Sequence, residues 1–218
     1  MSKAIVLLSG GLDSAVALWW AKRKWQVYAL TFKFGALNSN EVRSAKKIAR
    51  LAKVTRHIIL DLKWLKQMSE LGRTQELRGH RRSRFPLTYI PSRNAIFFGI
   101  ASYYAEIYGA RYIVTGHNLE DPFPDSKPTY IKAMNVALSR GSWLGKQYET
   151  RIVAPFGSGE KAAVLKLGAR LRAPLAFTWS CHRNRKTPCG KCGGCISRSN
   201  AFKELKLEDD RRSRIRGF

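Results

Sequence analysis

The sequence predicts an α/β fold: a parallel sheet of five strands with helices on both faces, followed by a small cysteine-rich helical appendix. Through residues 1–172, short apolar runs alternate with helical patterns, which is typical of strand–helix–strand units and of a parallel sheet. The first apolar run ends in a glycine-rich turn that opens a helix. All four cysteines lie within residues 181–195, so residues 173–218 are predicted to form a separate metal-binding region.

The predicted strands are apolar runs, and the predicted helices show amphipathic periodicity. The strands span residues 4–8, 27–32, 57–62, 111–116 and 152–155. The helices span residues 12–20, 41–52, 95–108, 129–139, 160–171 and 196–205. The helix of residues 41–52 has one apolar face, and its opposite face carries Arg43, Lys46, Lys47 and Arg50. Because ligands of such sheets bind at the carboxyl ends of the strands, the functional site is expected there.

Residues 63–88 interrupt the alternation of strands and helices. They have little apolar content, end near Pro86 and are rich in arginine, with Arg73, Arg78, Arg81, Arg82 and Arg84. A long insertion of this kind is interpreted as a mobile excursion over the site that acts as a lid. A solvated surface loop is an alternative of equal weight.

The turn after the first strand reads Leu8-Ser9-Gly10-Gly11-Leu12-Asp13-Ser14. A strand that feeds a glycine-rich turn and a helix forms an anion site, because backbone N–H groups and the helix dipole favour negative charge. Ser9 and Ser14 add hydroxyl groups, and the carboxylate of Asp13 requires a cation or a helix N-terminus as its partner. The alternative is a glycine-rich turn with two capping serines and no ligand.

The formal net charge is +25, from 40 Lys and Arg against 15 Asp and Glu. Such a charge favours a polyanion or an acidic protein as partner, although general basicity of the host's proteins would explain it equally well. No apolar run approaches the roughly 20 residues that span a bilayer. With the glycine-rich turn in place of a secretory signal, we expect no membrane association and a cytoplasmic location.

The cysteines are spaced as a metal-binding knuckle. Cys181 is followed by Cys189, Cys192 and Cys195, the last three in two overlapping C-x-x-C steps. Clustered thiols in an intracellular chain indicate a metal rather than disulfides. Four thiolates suit a closed, structural zinc site, and an iron–sulfur cluster is the rival interpretation.

Five separated motifs occur in order along the chain: the turn of residues 9–14, Tyr89-Ile90-Pro91-Ser92-Arg93-Asn94, the segment 116–126, Ala154-Pro155 with Glu160-Lys161, and Thr178-Trp179-Ser180-Cys181 with the remaining cysteines. Together they resemble the QueC family, the 7-cyano-7-deazaguanine (preQ0) synthases of the PP-loop ATP pyrophosphatase superfamily, in a form similar to the archaeal members. The resemblance implies a Rossmann-like fold of the HUP (adenine nucleotide alpha hydrolase-like) type. One departure is that Gly35 is followed by Ala36, where the family usually has glutamine.

The resemblance implies an ATP-dependent ligase that forms C–N bonds, in 7-deazaguanine biosynthesis for the queuosine- or archaeosine-type modification of tRNA. Its substrates would be 7-carboxy-7-deazaguanine (CDG) and ammonia, which react through an acyl adenylate and an amide to give preQ0. The implied cofactors are ATP, Mg²⁺ and Zn²⁺, and a homodimer is a further expectation.

Roles for individual residues follow from the matching motifs. The catalytic residues would be Asp13, Lys161 and Arg93, and the ATP loop would comprise Leu8, Ser9, Gly10, Gly11, Leu12, Asp13 and Ser14. Substrate binding would fall to Asn94, His117, Asn118, Glu120, Asp121 and Asp125. His117 would shuttle protons or, equally, be a structural histidine. Zinc would be held by Cys181, Cys189, Cys192 and Cys195.

Two alternatives to the synthase remain at this point. A QueC-like enzyme could transfer the activated acyl group to an amine of a protein or a nucleic acid, with the positive charge recruiting the acceptor. A protein of another class would bind nucleic acid through its zinc knuckle and arginines. The intact turn of residues 9–14 argues against the second alternative.

Overall fold

The computed structural model describes residues 1–34, 38–65, 89–143, 147, 149–183 and 185–209. It contains one parallel sheet with strand order β3-β2-β1-β4-β5. The strands are β1 (Lys3–Leu7), β2 (Gln26–Lys33), β3 (Arg56–Asp61), β4 (Tyr112–Val114) and β5 (Arg151–Val153). This confirms the predicted α/β class and the five parallel strands. Each predicted strand is found, although β4 and β5 are shorter than the apolar runs that predicted them.

Six α-helices of ten or more residues lie among the described residues. They are α1 (Leu12–Lys22), α2 (Ser39–Ala52), α3 (Arg93–Tyr108), α4 (Pro128–Gly141), α5 (Lys161–Arg170) and α6 (Gly193–Glu204). Each lies where a helix was predicted, with ends shifted by up to three residues. None of the described helices is long and apolar enough to cross a membrane.

The central strand β1 contributes side chains to two cores. Ala4 and Val6 pack in a cluster with α1, α2, α5 and α6, whereas Ile5 packs in a cluster with α3 and α4. This alternation follows from the two-residue period of a strand. Because both faces are covered by helices, the strand reads as one continuous apolar run.

The strand order places a topological switch point between β1 and β4. From β1 the chain proceeds through β2 to β3 on one side, and it then returns to place β4 and β5 on the other side. The connections that leave β1 and β4 therefore pass to opposite faces of the sheet. They leave a crevice at the carboxyl ends of the two strands, which is where open α/β sheets bind their ligands.

A buried arginine holds separate segments of the C-terminal region together. Arg198 of α6 is 1% exposed, and it donates to both carboxylate oxygens of Asp209 at 2.7 Å and 2.7 Å. It also donates to the Thr178 hydroxyl at 2.6 Å and to the Leu175 carbonyl at 3.1 Å. Nothing in the sequence pattern singled out this residue. The division into regions 1–172 and 173–218 remains a prediction.

Three expectations fall on residues outside the described part of the chain. These are most of the arginine-rich excursion of residues 63–88, the turn at Gly35 where the family glutamine is missing, and the arginines after residue 210.

Candidate active site

The loop of residues 9–14 joins β1 to α1 at the switch point. Its two serines bond within the loop: the Ser9 hydroxyl donates to Ser14 Oγ at 3.0 Å, and the Ser14 hydroxyl donates to the Gly11 carbonyl at 3.0 Å. The Gly11 N–H donates to Ser9 Oγ at 3.2 Å. Since the first backbone N–H groups of α1 have no partner within the helix, the loop and α1 present donors to an anion.

Two glycines allow other segments to press against this loop. Gly10 has φ +90°, and a Cβ there would lie 2.1 Å from the Glu41 carbonyl oxygen of α2. A Cβ on Gly116, just after β4, would lie 2.8 Å from the backbone N of Ser14. The Gly10 carbonyl also accepts a hydrogen bond from the Trp179 N–H at 2.9 Å. Three distant segments therefore hold the loop in one shape.

Lys161, the first residue of α5, reaches the loop. Its Nζ donates to Asp13 Oδ2 at 3.0 Å, and both side chains are largely buried. Asp13 Oδ1 is buried and has no hydrogen-bond partner among the described residues. Burial raises the pKa of Asp13, and the Lys161 charge partly offsets that rise. The pair therefore offers two groups to a ligand: the Lys161 ammonium can bind a phosphate, and Asp13 Oδ1 can bind a cation.

The segment after β4 turns polar side chains towards the loop. The Asn118 N–H donates to Asp121 Oδ2 at 3.0 Å, and the Glu120 N–H donates to Asn118 Oδ1 at 2.9 Å, which fixes the turn. Glu120 Oε1 accepts from the Lys161 backbone N–H at 2.8 Å and so caps α5. Burial is the main cause that raises the pKa of Asp121.

His117 is buried beneath this turn. Its ring meets Phe98 edge-on with centroids 6.0 Å apart, and its Nδ1 has no hydrogen-bond partner among the described residues. Burial and the Arg93 charge lower the pKa of His117 to about 4, so the imidazole is neutral at pH 7. The roles predicted for His117, proton shuttle or structural histidine, both stay predictions.

Arg93 and Asn94 begin α3 on the far side of the crevice. The Arg93 guanidinium lies over the rings of Phe123 and Phe97, with Cζ 5.4 Å and 6.0 Å from their centroids. The Asn94 N–H donates to Asp125 Oδ2 at 3.0 Å, and Asn94 Nδ2 donates to Asp125 Oδ1 at 3.1 Å. Asp125 thus caps α3, and unlike Asn94 it does not line the cleft itself.

These groups surround one cleft of about 650 Å³. One end is formed by the 9–14 loop, Lys161 and the turn after β4, and the other end is largely apolar and aromatic. The predicted residues that line the cleft are Leu8, Ser9, Gly11, Asp13, Ser14, Arg93, Asn94, His117, Asn118, Glu120, Asp121 and Lys161. Gly10 and Leu12 lie behind the surface of the loop. A further lining group that the sequence did not suggest comprises Phe32, Phe97, Glu41, His182 and Ser197.

Glu41 is the most unexpected member of this lining. It lies in the first turn of α2, where an acidic residue usually serves the helix dipole in solvent. Because α2 presses against Gly10, Glu41 instead lines the cleft, where it is partly buried. Burial raises its pKa to about 7, although the Arg93 charge opposes the rise.

Replacing Glu41 with glutamine should remove part of the pH dependence of stability. The folded pKa lies above the value near 4.5 of an exposed glutamate, so stability from the protonated form is lost as the pH rises through 7. We expect wild type to lose about 2 kcal/mol of unfolding free energy relative to Glu41→Gln between pH 5 and pH 8. Urea melts at both pH values measure this. Glu204→Gln, on the exposed surface of α6, is the matched control, and equal pH profiles for wild type and Glu41→Gln would refute the assignment.

The four cysteines converge beside the cleft, at the start of α6. Their sulfur atoms all lie within 4.8 Å of one another, and Cys181 Sγ is 3.9 Å from Cys192 Sγ. The backbone N–H groups of Arg183 and Cys189 donate to Cys181 Sγ at 3.4 Å, and that of His182 donates to Cys192 Sγ at 3.4 Å. Such donors stabilise thiolates, and the arrangement suits a bound metal ion.

The sequence of this chain matches one protein family along most of its length. The family model of the queuosine biosynthesis protein QueC matches residues 3–206. A 7-cyano-7-deazaguanine synthase of Thermoplasma volcanium is 37% identical over 215 residues, which cover 95% of this chain and 89% of that protein. The protein of the same name from Aquifex aeolicus is 38% identical over 210 residues, covering 92% and 96%.

Solved structures resemble the fold at low sequence identity. NMN synthetase from Francisella tularensis has a TM-score of 0.52 and 14% identity, covering 100% of this chain and 87% of that chain. A protein from Methanocaldococcus jannaschii, described as a predicted subunit of tRNA methyltransferase, has a TM-score of 0.50 and 17% identity, covering 78% and 75%. These likenesses bear on the fold alone. The family model and the curated relatives together show that the chain belongs to the QueC family.

Proposed function

We propose that the protein is a 7-cyano-7-deazaguanine synthase, an ATP-dependent ligase that converts CDG and ammonia to preQ0. The observation that carries the proposal is the family membership over residues 3–206, because both relatives described above are named for this activity. Those names favour the synthase over the conjugating enzyme and over the nucleic-acid-binding protein. The cleft supports it further with an anion-binding end and an aromatic end.

The reaction needs two activations, because a carboxylate and an amide both lack a good leaving group. The CDG carboxylate attacks the α-phosphorus of ATP, which releases pyrophosphate and gives an acyl adenylate. Ammonia displaces AMP and a proton, which leaves the amide. The amide oxygen then attacks the α-phosphorus of a second ATP, which releases pyrophosphate and a proton, and loss of AMP and a second proton gives the nitrile. The protein must bind two anionic groups, orient them and exclude water.

The anionic end of the cleft would hold the ATP phosphates. Ser9, Gly10, Gly11 and Ser14 would cradle the pyrophosphate through hydroxyl and backbone N–H groups, with Leu8 and Leu12 supporting the loop. Lys161 and Arg93 would neutralise the charge that develops on the phosphates. The unpartnered Oδ1 of Asp13 would be a suitable ligand for Mg²⁺, which would supply charge neutralisation for the phosphates.

The opposite end would hold CDG. The planar heterocycle would lie against the aromatic side chains, and a carboxylate of Glu120 or Asp121 would accept the adjacent N–H groups of its guanine-like edge. Asn94, Asn118 and the neutral His117 offer further polar contacts, the last through its unpartnered Nδ1. Asp125 would act through Asn94, which it holds in place.

The cysteine site would hold Zn²⁺ in a closed, structural role. Four sulfurs around one zinc ion at about 2.3 Å stand roughly 3.8 Å apart, which is close to the 3.9 Å between Cys181 and Cys192. A four-iron cluster places a separate iron behind each thiolate and therefore needs sulfurs that are farther apart. The spacing supports zinc over the cluster.

A homodimer and a cytoplasmic location complete the proposal. Tyr103 and Ile107 of α3 are 61% and 60% exposed, which offers an apolar surface that a second copy could cover. Trp19 and Trp20, by contrast, pack against the core and are not available for this. The cytoplasm would supply ATP and keep the four thiols reduced.

Mass spectrometry of the products tests this function directly. Purified, zinc-loaded protein with CDG, ATP, Mg²⁺ and ammonium chloride is expected to form the nitrile, with the amide as a transient intermediate. Omitting ammonium should abolish the product. An amide that accumulates without nitrile, or a mass added to the protein itself, would contradict the proposal.

A further inference from the structure

Part of the positive charge lies on one surface outside the cleft. We define the basic face as Arg43, Lys46, Arg50 and Lys53 on α2 and its C-cap, together with Arg183, Arg185 and Lys186 between the first two cysteines. All seven side chains are exposed, and none of them lines the cleft. The face is therefore separate from the proposed catalytic function, and it needs its own explanation.

On α2 the cations form a single stripe. They recur at intervals of three or four residues, so they share one side of the helix, while Val42, Ala45, Ile48 and Ala49 are buried on the other. From Arg43 to Lys53 the stripe is about 15 Å long at the rise of an α-helix. Lys47 lies at its edge, with Nζ 4.2 Å from the centroid of the Phe177 ring.

The fold brings the second cationic segment to the end of this stripe. Asn40 Nδ2, in the first turn of α2, donates to the Arg185 carbonyl at 2.8 Å. Arg43 Nη1 donates to Asn40 Oδ1 at 3.1 Å, so Arg43 stands next to the segment of residues 183–186. Two parts of the sequence about 140 residues apart thereby form one continuous surface.

Among the described residues, no acidic group forms an ion pair with a member of the basic face. The ion pairs within the described ranges are Lys33–Asp61, Arg151–Glu149, Lys161–Asp13 and Arg198–Asp209, and none includes a member of the face. The only carboxylate of α2, Glu41, is partly buried and lines the cleft. An array of like charges this dense is unfavourable alone and attracts a ligand with closely spaced negative charges.

The composition of the face argues for phosphates rather than an acidic protein. Protein interfaces have a core of apolar and aromatic groups, but Leu51 is the only large apolar side chain exposed on α2. The face therefore suits a nucleic-acid backbone that is bound by charge and shape.

We propose that the basic face binds the phosphate backbone of double-stranded RNA. The major groove of an A-form duplex is deep and narrow, so phosphates of both strands lie close together across it. A stripe about 15 Å long with further cations at one end can contact both rows of phosphates. Because His182, next to Arg183, lines the cleft, the bound duplex lies beside the mouth of the active site.

Fluorescence anisotropy with a labelled 20-base-pair RNA duplex of arbitrary sequence tests this proposal. Wild type is expected to bind with an affinity that falls steeply with salt. Each phosphate contact contributes close to tenfold at 0.1 M salt, so Lys46→Gln/Arg50→Gln should weaken binding about 10- to 100-fold and lower the log–log salt slope by about 2. Arg185→Gln/Lys186→Gln should act similarly.

A matched pair on the opposite face of the sheet controls for total charge. Lys132→Gln/Arg140→Gln on α4 removes the same charge and should change the affinity less than about threefold. All variants should keep their zinc and their activity. The proposal is overturned if the α4 pair weakens binding as much as the α2 pair. It is equally overturned if a DNA duplex of the same sequence binds as tightly, or if polyglutamate competes as well as RNA per unit charge.

Discussion

Replacing Lys161 with alanine is expected to lower kcat/KM for ATP by about 10²- to 10³-fold, the range measured when one preorganised electrostatic contact is lost. Lys161 Nζ lies 3.0 Å from Asp13 Oδ2 and faces the 9–14 loop, so it is placed to meet the charge that develops on the departing pyrophosphate. Its loss also leaves the Asp13 carboxylate buried without a cation. Initial rates of AMP formation at several ATP concentrations measure the effect.

Lys166→Ala is the matched control, because Lys166 is exposed one turn along the same helix. It should leave kcat/KM within about twofold, since α5 keeps its length, its N-cap and the Asp13 contact. Both variants should retain zinc. If Lys161→Ala kept more than one-tenth of wild-type kcat/KM, the assignment of Lys161 to the phosphates would be wrong.

Cys192→Ser is expected to release the metal and destabilise the C-terminal region. Metal binding to four thiolates contributes directly to folding, so the free energy of unfolding should fall by at least about 3 kcal/mol, with Tm lower by roughly 6–12 °C. Cys192 is the N-cap of α6, and serine is itself a good N-cap. The fall in the free energy of unfolding is therefore attributable to the missing sulfur ligand and not to a weaker N-cap of α6. Metal analysis and thermal melts with and without added zinc measure it.

Ile196→Ser serves as the control within the same helix, because Ile196 is 48% exposed and supplies no sulfur. It should retain one equivalent of zinc and melt within about 2 °C of wild type. A Cys192→Ser protein that keeps its zinc, or melts like wild type, would contradict a structural metal site. Loss of zinc should also weaken ATP binding, because Trp179 N–H, two residues before Cys181, anchors the Gly10 carbonyl of the loop.

The sheet and its helices could be predicted because the patterns that indicate them, apolar runs and helical periodicity, lie within short stretches of sequence. The inner strands β1 and β2 are buried on both faces, so they read as apolar runs, and α2 is amphipathic, so its 3.6-residue period is clear. The glycines at 10 and 116 are explained only by the structure, since each makes room for a segment distant in sequence. Motif resemblance supplied the candidate residues Lys161 and Arg93, which periodicity alone would have left as surface cations.

Groups whose role depends on tertiary packing could not be predicted. Glu41 has the sequence context of an ordinary helix-capping acid, and only the packing of α2 against the loop places it in the lining of the cleft. Arg198 reads as a solvated helix residue, and it is buried because Asp209 and Thr178 satisfy its donors. The contact of the Asp125 carboxylate with Asn94 likewise depends on tertiary packing, and the role of Asp125 towards the substrate stays a prediction.

The fate of the carboxylate oxygens tests most directly the central claim, that the cleft activates CDG by adenylation. The nitrile contains neither oxygen of the CDG carboxylate, so each must leave in one AMP. CDG labelled with ¹⁸O in both carboxylate positions should give two AMP molecules per preQ0, each with one ¹⁸O, and unlabelled pyrophosphate. Label in pyrophosphate or in water, or AMP without label, would contradict the account.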